Sequence, residues 1–223
     1  TASAGIIVGA VTVTGLGLKI SMFISNLAGQ SILAALILVW LVAVVLGMGL
    51  PTSAAYITTA ALLVPALVKL GMAPIVAHMF VFYAAIVSNL TPPVCVASYT
   101  AAGIAQCDPW KTAFTGFSMG FPGPFLVPFI FAYRPALMLA GSISSLPVDL
   151  LMSLLALLSV GFSFRGYCLT SISLWQRVLF AVACVLFTPP VAILNLAGLA
   201  VVGVLIITQL PAMRRDRRRA CQA

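Results

Sequence analysis

Apolar residues in this chain fall into long uninterrupted blocks, separated by short clusters of glycine, proline and hydroxyl or amide side chains. The sharpest interruption is Gly47-Met48-Gly49-Leu50-Pro51-Thr52-Ser53, between apolar runs at 31–46 and 56–70. As helices rising about 1.5 Å per residue, those runs reach only about 20–24 Å. A hydrocarbon core is about 30 Å thick. The pattern therefore predicts a re-entrant hairpin over 31–70, with the break at its tip and Gly71 and Pro74 closing it. Non-helical backbone survives at membrane depth only where protein buries it or it lines a cavity. Such a tip marks a transport site.

The same reading covers the rest of the chain. Residues 2–18 predict one membrane helix ending near Gly15-Leu16-Gly17 and Lys19, and the more polar 21–30 predict a connector. A second interrupted segment spans 74–105, with Ser88-Asn89-Leu90-Thr91-Pro92-Pro93 between apolar 75–87 and 94–105. Proline removes a helical hydrogen bond and pushes the residue before it out of the α region. This segment therefore predicts two half-helices with an unwound centre. Asp108-Pro109-Trp110 opens a helix over 111–132, bent by Pro122, Pro124 and Pro128 and closed at an interface by Tyr133-Arg134-Pro135.

Beyond residue 140 come a Ser-rich connector, an apolar span over 147–164 and a polar loop at Arg165-Gly166-Tyr167. Apolar 175–187 and 191–210 then flank Thr188-Pro189-Pro190, which reads equally as a tight turn or as another helix break. The expected organisation is 1–140 carrying the hairpin and broken helix, 141–213 adding further membrane helices, and 214–223 forming a basic tail.

Composition sets the class. Hydrophobic residues make up 63% and charged residues 6%, against about 25% charged in soluble domains. The runs lack the two-residue alternation of a membrane barrel. The fold class is an all-α polytopic membrane protein. The chain opens Thr1-Ala2-Ser3 with no initiator methionine and no basic leader, and the C-terminal part of a longer membrane protein is the expectation.

The net charge of +8 does not indicate nucleic acid, because five of the eleven basic residues sit in Arg214-Arg215-Asp216-Arg217-Arg218-Arg219, directly after an apolar segment. Lys19, Lys69, Lys111 and Arg134 fall at ends of apolar segments, where long side chains snorkel. The positive-inside rule places the tail in the cytoplasm, against anionic lipid. Cys95, Cys107, Cys168, Cys184 and Cys221 form no CxxC pair and lie near no His or carboxylate cluster. Neither a metal centre nor a disulfide framework follows; such cysteines pack.

The chemistry lies in the two breaks. Secondary transporters place substrate and coupling-ion sites where discontinuous helices meet. C-terminal half-helix carbonyls suit Na⁺, and N-terminal half-helix amides suit a carboxylate. Gly47 and Gly49 free carbonyls and permit unusual dihedrals, and Thr52, Ser53, Ser88, Asn89 and Thr91 supply the neutral oxygens a hard cation takes. Asp108, Asp149 and Asp216 are the acids, all at loops or segment ends. A proton-coupled carrier needs a buried ionisable relay, so Na⁺ coupling is preferred. His78 admits a pH-responsive or substrate-contacting role, but the preferred reading is an interfacial histidine bonded to a backbone carbonyl. No nucleophile–base pair, GxSxG or phosphate loop occurs, so no enzyme is indicated.

With both breaks in view, Gly47-Met48-Gly49-Leu50-Pro51-Thr52-Ser53-Ala54-Ala55-Tyr56, Pro65, Thr91-Pro92-Pro93-Val94 and Ala101-Ala102-Gly103-Ile104-Ala105 resemble the large permease subunit of tripartite ATP-independent periplasmic (TRAP) transporters. The likeness covers roughly residues 1–140 and is strongest to the type whose small and large membrane subunits are fused. The resemblance implies the C-terminal repeat of an elevator-type, Na⁺-driven carrier in a bacterial or archaeal inner membrane. It implies as partners an extracytoplasmic solute-binding protein that delivers a carboxylate-bearing solute, and a small permease subunit. Carried over by motif, Gly47, Gly49, Pro51, Thr52 and Ser53 fall at the hairpin tip, and Ser88, Asn89, Thr91 and Pro92 at the helix break. Na⁺ falls to Gly47, Gly49, Ser88 and Thr91. Residues past about 140 carry no recognisable motif; they are consistent with the extra C-terminal helices of the fused type, in a packing or scaffold role. Two other readings stand beside this one: an unrelated elevator-type anion symporter, and a channel-like or assembly subunit whose breaks line a pore.

Overall fold

The structure is a computed structural model that describes residues 5–6, 9–10, 13–28, 31–120, 122–168, 170 and 172–220. The described residues form helices and the turns between them, as the continuous apolar blocks require. In chain order the α-helices are α1 (Leu16–Ala28), α2 (Ile32–Gly47), α3 (Thr52–Lys69), α4 (Pro74–Ser88), α5 (Val96–Ala105), α6 (Pro109–Gly120), α7 (Pro122–Tyr133), α8 (Leu146–Arg165), α9 (Leu174–Phe187) and α10 (Ala192–Ala220). The chain divides into two compact units, Thr1–Ala140 and Gly141–Ala223. Among the described residues, Thr52–Lys69, Pro109–Tyr133, Ile143–Arg165 and Ala192–Gln209 are long and apolar enough to cross a membrane. The protein is an all-α polytopic membrane protein.

The first unit packs α1, α2, α3, α4 and α7 around a common core. In α2, Ala35, Val39, Ala43 and Gly47 repeat every four residues and are buried, while Leu33, Ile37, Leu41 and Val45 face outward. Lipid is as apolar as leucine, so large side chains gain little by burial and small ones bring helix backbones together. α4 turns Ala77, Ala84, Ala85 and Ser88 inward by the same rule. Edge-on aromatic pairs tie in α7: Trp40 with Phe125 at 4.9 Å and Phe80 with Phe129 at 5.3 Å between centroids.

Several sequence expectations change here. The 21–30 segment is largely the helix α1 rather than a connector, with Ser21 wholly buried; packing outweighs the polar residues that argued for a loop. The helix expected over 2–18 lies partly outside the described residues. In the described part Gly15 adopts φ +62°, and Lys19 falls inside α1 instead of ending a helix.

The second hairpin arm starts at Thr52, four residues earlier than expected. At 18 residues it spans about 27 Å, so only α2 is clearly short of a bilayer. Pro51 precedes the helix at its N-cap, where a missing N–H costs no hydrogen bond. The expected 111–132 helix is described as α6 and α7, with residue 121 between them outside the described residues, and Pro109–Tyr133 together have the length of one span.

In the second unit, α8 ends on Gly166 at φ +67°. α9 begins with a reciprocal capping box between Ser173 and Gln176. Phe162 of α8 meets Phe180 of α9 edge-on at 5.5 Å, and Phe180 packs with Leu205 of α10. α9 and α10 therefore lie antiparallel, so Thr188-Pro189-Pro190 is a turn and not a break. α10 continues as helix through Ala220, past the expected end of the apolar span at residue 210.

Candidate functional site

Three helix ends meet where the two sequence breaks come together. The C-termini of α2 and α4 lie side by side, because Gly47, the last residue of α2, abuts Ser88, the last residue of α4. A methyl group added at Gly47 would stand 2.6 Å from Ser88 Oγ and 3.0 Å from its Cβ. Only glycine allows that approach. The N-terminus of α3 joins from the other side of the tip: Asn89 Nδ2 donates to Thr52 Oγ1 at 3.4 Å. Gly49 turns the tip with φ +82°, and its missing Cβ would rest 3.5 Å from Val94 Cγ1 beyond the break. Residues 41 apart in sequence are thus neighbours across one site.

The hydroxyls at the break are oriented by the helix they terminate. Ser88 Oγ donates to Ala85 O at 2.6 Å and Thr91 Oγ1 donates to Val87 O at 2.8 Å. Each has given its proton to a backbone carbonyl one turn back, so its oxygen keeps lone pairs with which to accept. Asn89 gives its amide protons to Thr52 and to Ala85 O at 3.2 Å, which leaves Oδ1 to accept. Ser88 is fully buried, and Asn89 and Thr91 are half-buried. Two helix C-termini add partial negative charge and the α3 N-terminus adds partial positive charge. Among the described residues no group of three His, Cys, Asp or Glu could hold a metal ion. A cation at this site would meet neutral oxygens, which suits a hard, weakly polarising ion.

Not every candidate residue sits at this junction in the same way. Gly47, Gly49, Thr52, Ser88 and Asn89 make the contacts across it. Pro51 is the N-cap of α3, and its carbonyl accepts from Ala55 N at 2.9 Å. Ser53 lies exposed in the first turn of α3 rather than in a loop. Thr91 stands on the turn that follows α4, held by its bond to Val87. Pro92 lies one step further on, joined to Pro93 by a cis bond.

His78 has a different partner from the one expected. Its Nδ1 is 2.9 Å from the Tyr56 hydroxyl, not a backbone carbonyl, and it lies ten residues before Ser88 on α4, about 15 Å from the break. It is not part of the junction. The sequence assigned Tyr56 no role beyond its place in the motif, and it did not mark Tyr99. Tyr56 bridges α3 to α4 through His78 and stacks edge-on with Phe82 at 5.4 Å, and Tyr99 OH donates to Pro93 O at 2.7 Å, bracing the unwound segment. The signal for Tyr56 was its place one turn past the tip; for Tyr99 there was none.

Residues 1–146 match the family model described as Tripartite ATP-independent periplasmic transporter, DctM component. No curated protein and no solved structure matches the chain.

Proposed function

The chain belongs to the DctM component family of tripartite ATP-independent periplasmic transporters, and from that premise we propose that it couples inward movement of a carboxylate-bearing solute to Na⁺. Membership makes it a multi-pass membrane permease that works with a solute-binding protein and a small permease subunit, and sets aside the unrelated anion symporter. The proposal adds the driving ion, the solute class, delivery by that binding protein, an elevator-type movement of the hairpin and broken helix, and an inner-membrane setting with the C-terminus in the cytoplasm. Fusion to the small subunit upstream belongs to it as well.

The observation that carries the reading is the apposition of Gly47 with Ser88, which brings two helix C-termini to one point. Na⁺ would gain there from carbonyl ends and from the lone pairs of Ser88 and Thr91. The carboxylate would gain from the N-terminus of α3, where Thr52 already meets Asn89. Secondary carriers use opposite half-helix ends for ion and anion in this way. Gly47, Gly49, Ser88 and Thr91 are the proposed Na⁺ group; Pro51, Thr52, Ser53, Asn89 and Pro92 form the surrounding tip and break.

The test is thermal unfolding of the purified protein in NaCl, KCl and choline chloride at equal ionic strength. A ligand held only by the folded state stabilises it by RT ln(1 + [L]/Kd), about 2.7 kcal/mol at one hundred times Kd. A saturable rise in Na⁺ alone is expected, absent in Thr91→Ala and kept in Thr91→Ser. Identical unfolding curves in the three salts would remove Na⁺ from the mechanism. Solute uptake that needs no binding protein and runs only downhill would point instead to a pore.

A further inference from the structure

The second unit collects its arginines at one end. α8, α9 and α10 run up, down and up, so the C-terminus of α8, the N-terminus of α9 and the C-terminus of α10 share that end. Arg165 and Arg177 lie there, and α10 passes from its apolar part into Arg214, Arg215, Arg217, Arg218 and Arg219. The opposite end holds the turn Thr188-Pro189-Pro190, which carries no charge, and Asp149 in the first turn of α8. Tyr167 and Trp175 stand exposed at the arginine end, as aromatic side chains do at a membrane–water boundary. Arg177 Nη2 donates to Phe164 O at 3.3 Å across the end of α8, while its Nε is buried without a partner.

Below this end an open apolar groove of about 260 Å³ runs between α9 and α10, lined by Leu179, Ala200, Val201, Val204 and Leu205. The apolar part of α10 ends at Gln209. The groove begins four residues inside that point and ends nine residues inside it, about 6–14 Å deep. One leaflet contributes about 15 Å of hydrocarbon, so groove and arginines belong to the same leaflet.

We propose that this end of the second unit binds one anionic phospholipid, its headgroup phosphate held by Arg165 and Arg177 and one acyl chain lying in the groove. The two parts play separate roles. Bilayer chains are as apolar as the groove wall, so the groove contributes shape alone. The arginines supply preference for a negative headgroup, by attraction and by paired N–H donors to phosphate. Charge attraction without a site would gather anionic lipid around the helices with no regard to the groove.

Trp175 offers the readout, since it lies four residues before Leu179 on the same face of α9. The full chain is placed in phosphatidylcholine nanodiscs containing either phosphatidylglycerol or phosphatidylcholine brominated on the acyl chains. The Trp175 part of the quenching is the difference between the chain and its Trp175→Phe variant. Brominated phosphatidylglycerol is expected to win by about fivefold or more in relative affinity, the effect of a single engaged arginine. Replacing Arg165 and Arg177 together with glutamine should lower that preference by about fivefold or more. Val204→Phe, which fills the groove from an exposed position and leaves every charge in place, should lower it as well. Equal quenching by the two lipids overturns the proposal. So does a preference untouched by Val204→Phe and abolished in molar salt, which is the behaviour of diffuse attraction.

Discussion

Gly47 and Gly49 stand two residues apart and are glycine for different reasons. At Gly47 the constraint is space: a Cβ would lie 2.6 Å from Ser88 Oγ, so Gly47→Ala must push α2 and α4 apart or turn Ser88 off its bond to Ala85. Overpacking of this kind costs about 1–3 kcal/mol. The expected outcome is a lower melting temperature for Gly47→Ala that Ser88→Gly partly restores, and losses that simply add would show that the two residues do not touch. At Gly49 the constraint is backbone: φ is +82°, and the nearest atom to a Cβ is at an ordinary 3.5 Å. Gly49→Leu should cost about 1–2 kcal/mol from the left-handed conformation, and Gly49→Asn distinctly less. If Asn and Leu destabilise equally, space rather than dihedral governs the tip. The sequence marked both glycines by their place beside Pro51; which restraint acts on which needed Ser88 and Val94.

At the scale of elements, two sequence signals held and two gave way. Ser88-Asn89-Leu90-Thr91-Pro92-Pro93 does separate two half-helices, because paired prolines remove donors whatever surrounds them. The apolar run of α2 ends as expected at the glycine break. The start of α3 was misplaced because Thr52 and Ser53 read as loop residues, although a helix beginning after Pro51 accepts them readily. α1 was missed because buried Ser21 and exposed Asn26 looked like a connector.

The arms of the hairpin are held to the broken helix by more than apolar packing. Tyr56 on α3 shares a 2.9 Å hydrogen bond with His78 of α4. Tyr56→Phe keeps the edge-on contact with Phe82 and removes the hydroxyl, so a loss of about 0.5–1.5 kcal/mol is expected. The Na⁺-dependent rise in melting temperature should be unchanged, because the hydroxyl bonds to His78, about 15 Å along α4 from the junction. A Tyr56→Phe protein that unfolds normally but no longer responds to Na⁺ would place this pair inside the ion site.

For the whole molecule, charge placement argues orientation. The arginines of the second unit share one end with Tyr167 and Trp175, and short basic segments stay on the cytoplasmic side. With the native cysteines replaced, Tyr167→Cys should react with a membrane-impermeant thiol reagent only from the cytoplasmic face of sealed vesicles. Labelling from the outer face alone would reverse the topology.

Composition and block length were enough to determine a polytopic helical membrane protein with two interrupted segments, since a bilayer demands apolar length and punishes open backbone wherever a segment lies. The motif wording was enough to point to the family that residues 1–146 match. Tertiary structure alone decided that the two interruptions meet, that Gly47 meets Ser88 while Asn89 reaches Thr52, that His78 pairs with Tyr56, and that Thr188-Pro189-Pro190 is a turn. The physical reason is common to all four. Spacing along one helix sets which residues share its face, but neighbours on different helices are set by how small side chains let whole helices pack, and no local pattern encodes that.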